Sequence, residues 1–128
     1  MSTVLVIDND ASMRHMLELA LRSQRLEVLA TADPEQAGEA VADGKVDAML
    51  LDYHLGAGVS GTILLERWGA TSAIPPFWLV TGMPDDEGVI AAKSHPQCQG
   101  VVSKPFAVMR LVGEVSALLS SPEAEAEA

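Results

Sequence analysis

Cysteine, basic residues and long apolar runs are all scarce in this 128-residue chain. The single Cys98 has no partner for an internal disulfide, and one thiol does not build a zinc site. It reads as a small residue near a strand entrance. Lys and Arg number 8 against 18 Asp and Glu, a formal net charge of −10. That balance argues against direct nucleic-acid binding, which needs clustered cations to displace counterions. Glu123, Glu125 and Glu127 fall in residues 121–128, which read as a disordered acidic tail, so the body over residues 1–120 is less extreme. No segment approaches the ~18 apolar residues of a membrane span, and the N-terminus lacks the basic stretch and apolar core of a secretory signal. The expectation is a soluble cytoplasmic protein with no membrane partner. There is no internal repeat, and the length is that of one domain with a real core, drawn from residues that are 48% apolar.

What is present comes in short apolar bursts. Ala48 to Leu51 stops at Asp52, and the chain turns polar and glycine-rich directly after it. Such a run, bounded by turn signals, is the pattern of a strand buried on both faces. Thr3 to Ile7 is another, ending in Asp8-Asn9-Asp10. Asp10 suits a helix N-cap, with Met13, Met16, Leu17, Ala20 and Leu21 following at helical spacing as an inner face. Leu26 to Ala32 predicts a strand nearer a sheet edge, because Glu27 interrupts it. Asp33-Pro34-Glu35 starts a second helix that ends at Asp43-Gly44. Residues 56–61 read as a loop and Thr62 to Trp68 as a short helix. Phe77 to Thr81 predicts a fourth strand, Pro84 to Lys93 a fourth helix, and Gly100 to Ser103 a fifth strand. Val108, Leu111, Val112, Val115, Leu118 and Leu119 mark the last helix. Five strand–helix units predict an α/β fold: a five-stranded parallel sheet with right-handed crossovers and helices on both faces.

In a parallel sheet the carboxyl ends of the strands point one way, and ligands of open α/β folds bind there. Asp8-Asn9-Asp10, Asp52, Thr81 and Lys104 each follow such a strand, so carboxylates, a hydroxyl and an ammonium converge. Converging carboxylates repel unless a hard cation neutralises them, and oxygen ligands with waters suit Mg²⁺. Mg²⁺ also draws in a phosphoryl group, which Asp52 is placed to attack as nucleophile. Lys104 and Thr81 can then bind phosphoryl oxygens.

This ordered set, Asp8-Asn9-Asp10, Asp52, Thr81-Gly82 and Lys104-Pro105-Phe106, resembles the receiver domain of two-component response regulators, over essentially the whole chain to Leu119. The resemblance implies a flavodoxin-like (βα)5 receiver fold over residues 1–120. It implies Mg²⁺-dependent, reversible phosphorylation of Asp52 by a histidine kinase or histidine-phosphotransfer protein. Output would go to a downstream protein through the face built on the fourth helix, fifth strand and last helix. Asp8, Asn9 and Asp52 take the metal positions, His54 lies where the family offers a backbone carbonyl to the metal, and Asp10 is a further candidate. Lys104-Pro105 matches a family bond that is typically cis.

Three positions depart from the family. Asn9 replaces the second acid of the metal pair with a neutral oxygen, which lowers the expected Mg²⁺ affinity unless Asp10 compensates. Gly56 stands where proline is common, in a loop one residue longer than in short-loop members. Val101, three residues before Lys104, replaces the aromatic residue that rotates inward on activation.

Other readings compete. One is an unphosphorylated pseudo-receiver that keeps the fold as an interaction module, motivated by Asn9 and Val101. Another is a receiver fragment of a hybrid histidine kinase, although the start at Met1 reads as a separate polypeptide. A flavin binder would want a Ser/Thr/Gly-rich cradle after the first strand instead of Asp8-Asn9-Asp10. An aspartate phosphatase would want its nucleophile after the first strand, not the third. Asp52 as a plain turn acid, Asp8 and Asp10 as caps of the first helix, Thr81 as a strand-end residue and Lys104 as a surface lysine are the bland readings of each position taken alone.

Overall fold

The computed structural model describes residues 1–120; the expected tail, 121–128, lies outside the described residues. In chain order the elements are β1 (Thr3–Ile7), α1 (Ala11–Ser23), β2 (Glu27–Thr31), α2 (Pro34–Ala42), β3 (Ala48–Asp52), β4 (His54–Gly56), β5 (Val59–Ser60), α3 (Gly61–Gly69), β6 (Phe77–Thr81), α4 (Glu87–Lys93), β7 (Cys98–Ser103) and α5 (Val108–Leu119). Five strands form one parallel sheet in the order β2-β1-β3-β6-β7. This is the expected α/β architecture, with β2 at an edge.

Alternation along the strands divides the core. Val4, Val6, Ala48, Leu50, Trp78 and Val80 face α1 and α5, where they meet Leu17, Leu21, Leu111, Val112 and Val115. Leu5, Ile7, Met49, Leu51, Phe77 and Leu79 face the other way, toward Ala37, Val41, Leu64, Trp68, Val89 and Ala92 of α2, α3 and α4. Every residue of β3 and β6 is buried, as strands covered on both faces must be.

Four of the helices begin at a side-chain cap. Asp10 accepts from the Ser12 and Met13 amides, Asp33 from Glu35, Ser60 from Ile63 and Asp86 from Gly88. The Asp86 cap explains why α4 starts at Glu87 and not at Pro84. β7 begins at Cys98, two residues earlier than expected, because a register shift opposite Phe77 and Trp78 accommodates the extra residue. Residues 56–61 are more ordered than a loop: β4 and β5 form a small antiparallel hairpin directly after Asp52. Its turn places Gly56, Ala57 and Gly58 in the left-handed region, at φ of 81°, 50° and 77°, and glycine at two of these positions relieves most of the cost. Met16, expected in the core, is exposed, while Met13 packs against the α1–α5 side. No helix among the described residues is long and apolar enough to cross a membrane.

Candidate functional site

Sheet register assembles the site. Ile7 pairs with Leu51, so the next residues, Asp8 and Asp52, leave adjacent strands at the same level. Asp52 pairs with Val80, which sets Thr81 one step further on. Thr81 pairs with Ser103, and the Lys104 amide donates to the Thr81 carbonyl at 2.8 Å. The Lys104-Pro105 peptide is cis. The Lys104 ammonium lies 3.3 Å from Asp8 Oδ2 and 3.5 Å from Asp52 Oδ2, bridging two carboxylates whose side chains are only 3% and 4% exposed.

Burial raises Asp52 most, and the neighbouring Asp8 charge raises it further; Lys104 pulls the other way. The net result lifts Asp52 to about 6. Thr81 is fully buried; its hydroxyl accepts from the Met83 amide at 2.9 Å and keeps its own proton to donate.

The remaining candidates lie around this core. Asn9 is exposed, and its amide sits beside Gly56 in the hairpin, 3.8 Å from where a Cβ would be. Asp10 uses its carboxylate on the first turn of α1, at 2.9 and 3.2 Å from the Ser12 and Met13 amides, while its own amide donates to Asp8 Oδ1 at 2.8 Å. The His54 side chain is exposed and meets the Tyr53 ring edge-on at 4.8 Å.

Sequence reasoning missed Arg14, whose guanidinium donates to the Asp8 carbonyl at 2.8 Å and holds the β1–α1 turn. Its only signal was a cation one turn into a helix that starts from acids. It also missed Tyr53, the buried residue that directly follows Asp52.

The donor set suits Mg²⁺. Asp8 and Asp52 present two hard carboxylates side by side, and a cation there would offset both the burial and the neighbouring Asp8 charge that raise Asp52. Among the described residues no three His, Cys, Asp or Glu side chains gather into a cage. Mg²⁺ keeps several waters and is bound through one or two carboxylates, which the adjacent Asp8 and Asp52 could supply.

Residues 4–116 match the family model of the response regulator receiver domain. Among curated proteins the chain is 31% identical over 120 residues to the phosphate regulon transcriptional regulatory protein PhoB of Pseudomonas aeruginosa, covering 91% of this chain and 51% of that protein. It is 31% identical over 122 residues to the DNA-binding response regulator MtrA of Mycolicibacterium smegmatis, covering 95% and 52%. The chain thus spans about half the length of these relatives. A CheY-like receiver domain structure from Methanospirillum hungatei superposes with a TM-score of 0.82 at 20% identity, covering 100% of this chain and 99% of that one. The chain belongs to the response regulator receiver domain family, and its class is the receiver of two-component signalling. Members of this family generally use Mg²⁺ and interact with histidine kinases and downstream targets.

Proposed function

We propose that Asp52 accepts a phosphoryl group from the phosphohistidine of a histidine kinase or histidine-phosphotransfer protein, and later loses it to water. The observation that carries this is the buried Asp8–Lys104–Asp52 cluster at the carboxyl edge of the sheet, with the ammonium 3.3 and 3.5 Å from the two acids. An ionised Asp52 oxygen attacks phosphorus, the bond from phosphorus to the donor's imidazole nitrogen breaks, and that nitrogen leaves with the electron pair. The three equatorial oxygens develop charge that Lys104 and the Thr81 hydroxyl are placed to bind. Mg²⁺, when bound, supplies charge neutralisation between the acids and the incoming phosphoryl group. Asp8 and Asp52 would hold it, with the Asn9 side chain and the His54 carbonyl as further oxygen donors; Asp10 is committed to its cap and serves the metal only by leaving it. Hydrolysis reverses the acyl phosphate, with water attacking phosphorus and Asp52 leaving as carboxylate.

Output then goes through protein contacts on the α4–β7–α5 face, in a cytoplasmic setting. The net charge of −10 supports a protein partner over direct contact with nucleic acid. The domain under this reading is residues 1–120. It is a group-transfer protein that processes its own Asp52, not a turnover enzyme.

The test is intact mass after incubation with acetyl phosphate and Mg²⁺. The expected result is one added phosphate on the wild type, none on Asp52→Asn, and none with EDTA. A second reading rests on the exposed neutral Asn9 at a metal position: a pseudo-receiver that is never phosphorylated. No adduct from acetyl phosphate or from a phosphorylated histidine donor would establish it and sink the first.

A further inference from the structure

Tyr53 follows the phosphoacceptor directly, yet its ring points away from the site and is buried in the α2–α3–α4 half of the core. Its backbone is fixed at both ends: the amide donates to the Val80 carbonyl at 2.9 Å, and the carbonyl accepts from the Gly61 amide at 2.8 Å. The ring runs between the first turns of two helices, and both turns make room for it with glycine. A Cβ on Gly61 of α3 would lie 3.1 Å from Tyr53 Cδ2. A Cβ on Gly88 of α4 would lie 1.8 Å from the phenol oxygen and 2.9 Å from Cζ. The phenol hydrogen-bonds the Thr62 hydroxyl at 3.0 Å, and the Thr62 hydroxyl donates to the Gly88 carbonyl at 3.4 Å.

On the far side of the contact, α4 is the shortest helix, and its buried side chains, Val89 and Ala92, are small. Helices with a small buried footprint are the ones that shift at low cost. The segment leading into α4 is tied to the site as well, through the Met83 amide on the Thr81 hydroxyl. Any pull on Thr81 reaches the start of α4, and the Tyr53 ring limits where that start can settle. Val101, at the position where an aromatic switch would stand, packs only partly buried against the same cluster.

We propose that Tyr53, wedged between the first turns of α3 and α4 and bridged to Gly88 through Thr62, is the positioning side chain that relays the state of Asp52 to α4. The proposal rests on the phosphoacceptor reading above, and the test separates the two. Hydrogen exchange at the α4 amides is measured before and after acetyl phosphate and Mg²⁺, with phosphate content read by intact mass. Wild type is expected to show an exchange change of about fivefold or more on phosphorylation, the lower end of an allosteric coupling. Tyr53→Phe and Thr62→Val should take phosphate to the same extent and lose most of that change, while Thr62→Ser restores it. A merely structural role would alter the resting exchange and leave the response to phosphate intact. A full wild-type response in Tyr53→Phe and Thr62→Val, or no α4 response in phosphorylated wild type, overturns the relay. If wild type takes no phosphate, the phosphoacceptor reading fails and Asp52→Asn supplies the perturbation instead. An α4 difference between Asp52→Asn and wild type that disappears in the Tyr53→Phe background upholds the relay. An equal difference in both backgrounds, or none in either, overturns it.

Discussion

The two faces of the sheet are packed by different means. On the α1–α5 face, aliphatic side chains from the helices meet aliphatic strands and Trp78, and no glycine brings backbone onto a ring closely: a Cβ on Gly100 would sit an ordinary 3.7 Å from Trp78, and one on Gly113 of α5 would meet nothing within 4 Å. On the α2–α3–α4 face every helix carries a glycine pressed against an aromatic ring. Gly38 of α2 faces the Trp68 indole, where a Cβ would lie 2.6 Å from Nε1, and Gly61 and Gly88 enclose Tyr53. Aliphatic cores tolerate exchange when volume is kept, whereas backbone-on-ring contacts fix one distance and one orientation. The first face acts as a foundation. The second specifies where its helices sit relative to the acid edge.

Substitutions that add a single methyl group break this contrast most directly. Gly88→Ala and Gly38→Ala are expected to cost about 1–3 kcal/mol each by overpacking, with Gly88→Ala at the upper end because its Cβ would meet both the phenol oxygen and Cζ of the buried Tyr53. Urea unfolding measures this, and wild-type stability in both variants would remove the contrast. Next in size is the edge where the faces meet. Raised to about 6, Asp52 disfavours its own charge in the folded chain, so above pH 6 it carries the full penalty. As pH falls from 6 toward 4 the folded chain takes up a proton that the unfolded chain does not, and the penalty disappears. Asp52→Asn should therefore be more stable than wild type by up to about 3 kcal/mol at pH 8, with the two pH–stability curves meeting near pH 4. A constant gap across that range would place the strain elsewhere. Smallest is Gly113→Ala in α5, which should gain about 0.5–1 kcal/mol, because alanine lowers the entropic cost of a helix interior and meets open space.

Strand identity and the convergence of polar residues at one edge were legible because period and register act locally. Ile7 against Leu51 is enough to set Asp8 beside Asp52. Helix starts were legible where a cap stood at an unambiguous position, as at Asp10 and Asp33. They were not at α4, where the expected start at Pro84 comes three residues early and only the Asp86 bond to the Gly88 amide decides. The β4–β5 hairpin was hidden because Gly56 and Gly58 look like a flexible loop, and one-residue patterning cannot show that three successive left-handed residues close an antiparallel pair. Tyr53 was hidden for a different reason. Its meaning lies in Gly88, 35 positions away, and a glycine does not announce in sequence which ring it accommodates.

The placement of the two tryptophans gives each half of the interior its own optical reporter. Trp68 sits against α2 in the half that holds Tyr53, and Trp78 faces α1 and α5 in the other. Both are almost fully shielded from water, so each emission depends on its immediate packing. Singly retained, the first would register events that reach α4 and the second the integrity of the remaining half, and a signal seen by one indole alone would mark which side of the sheet had changed.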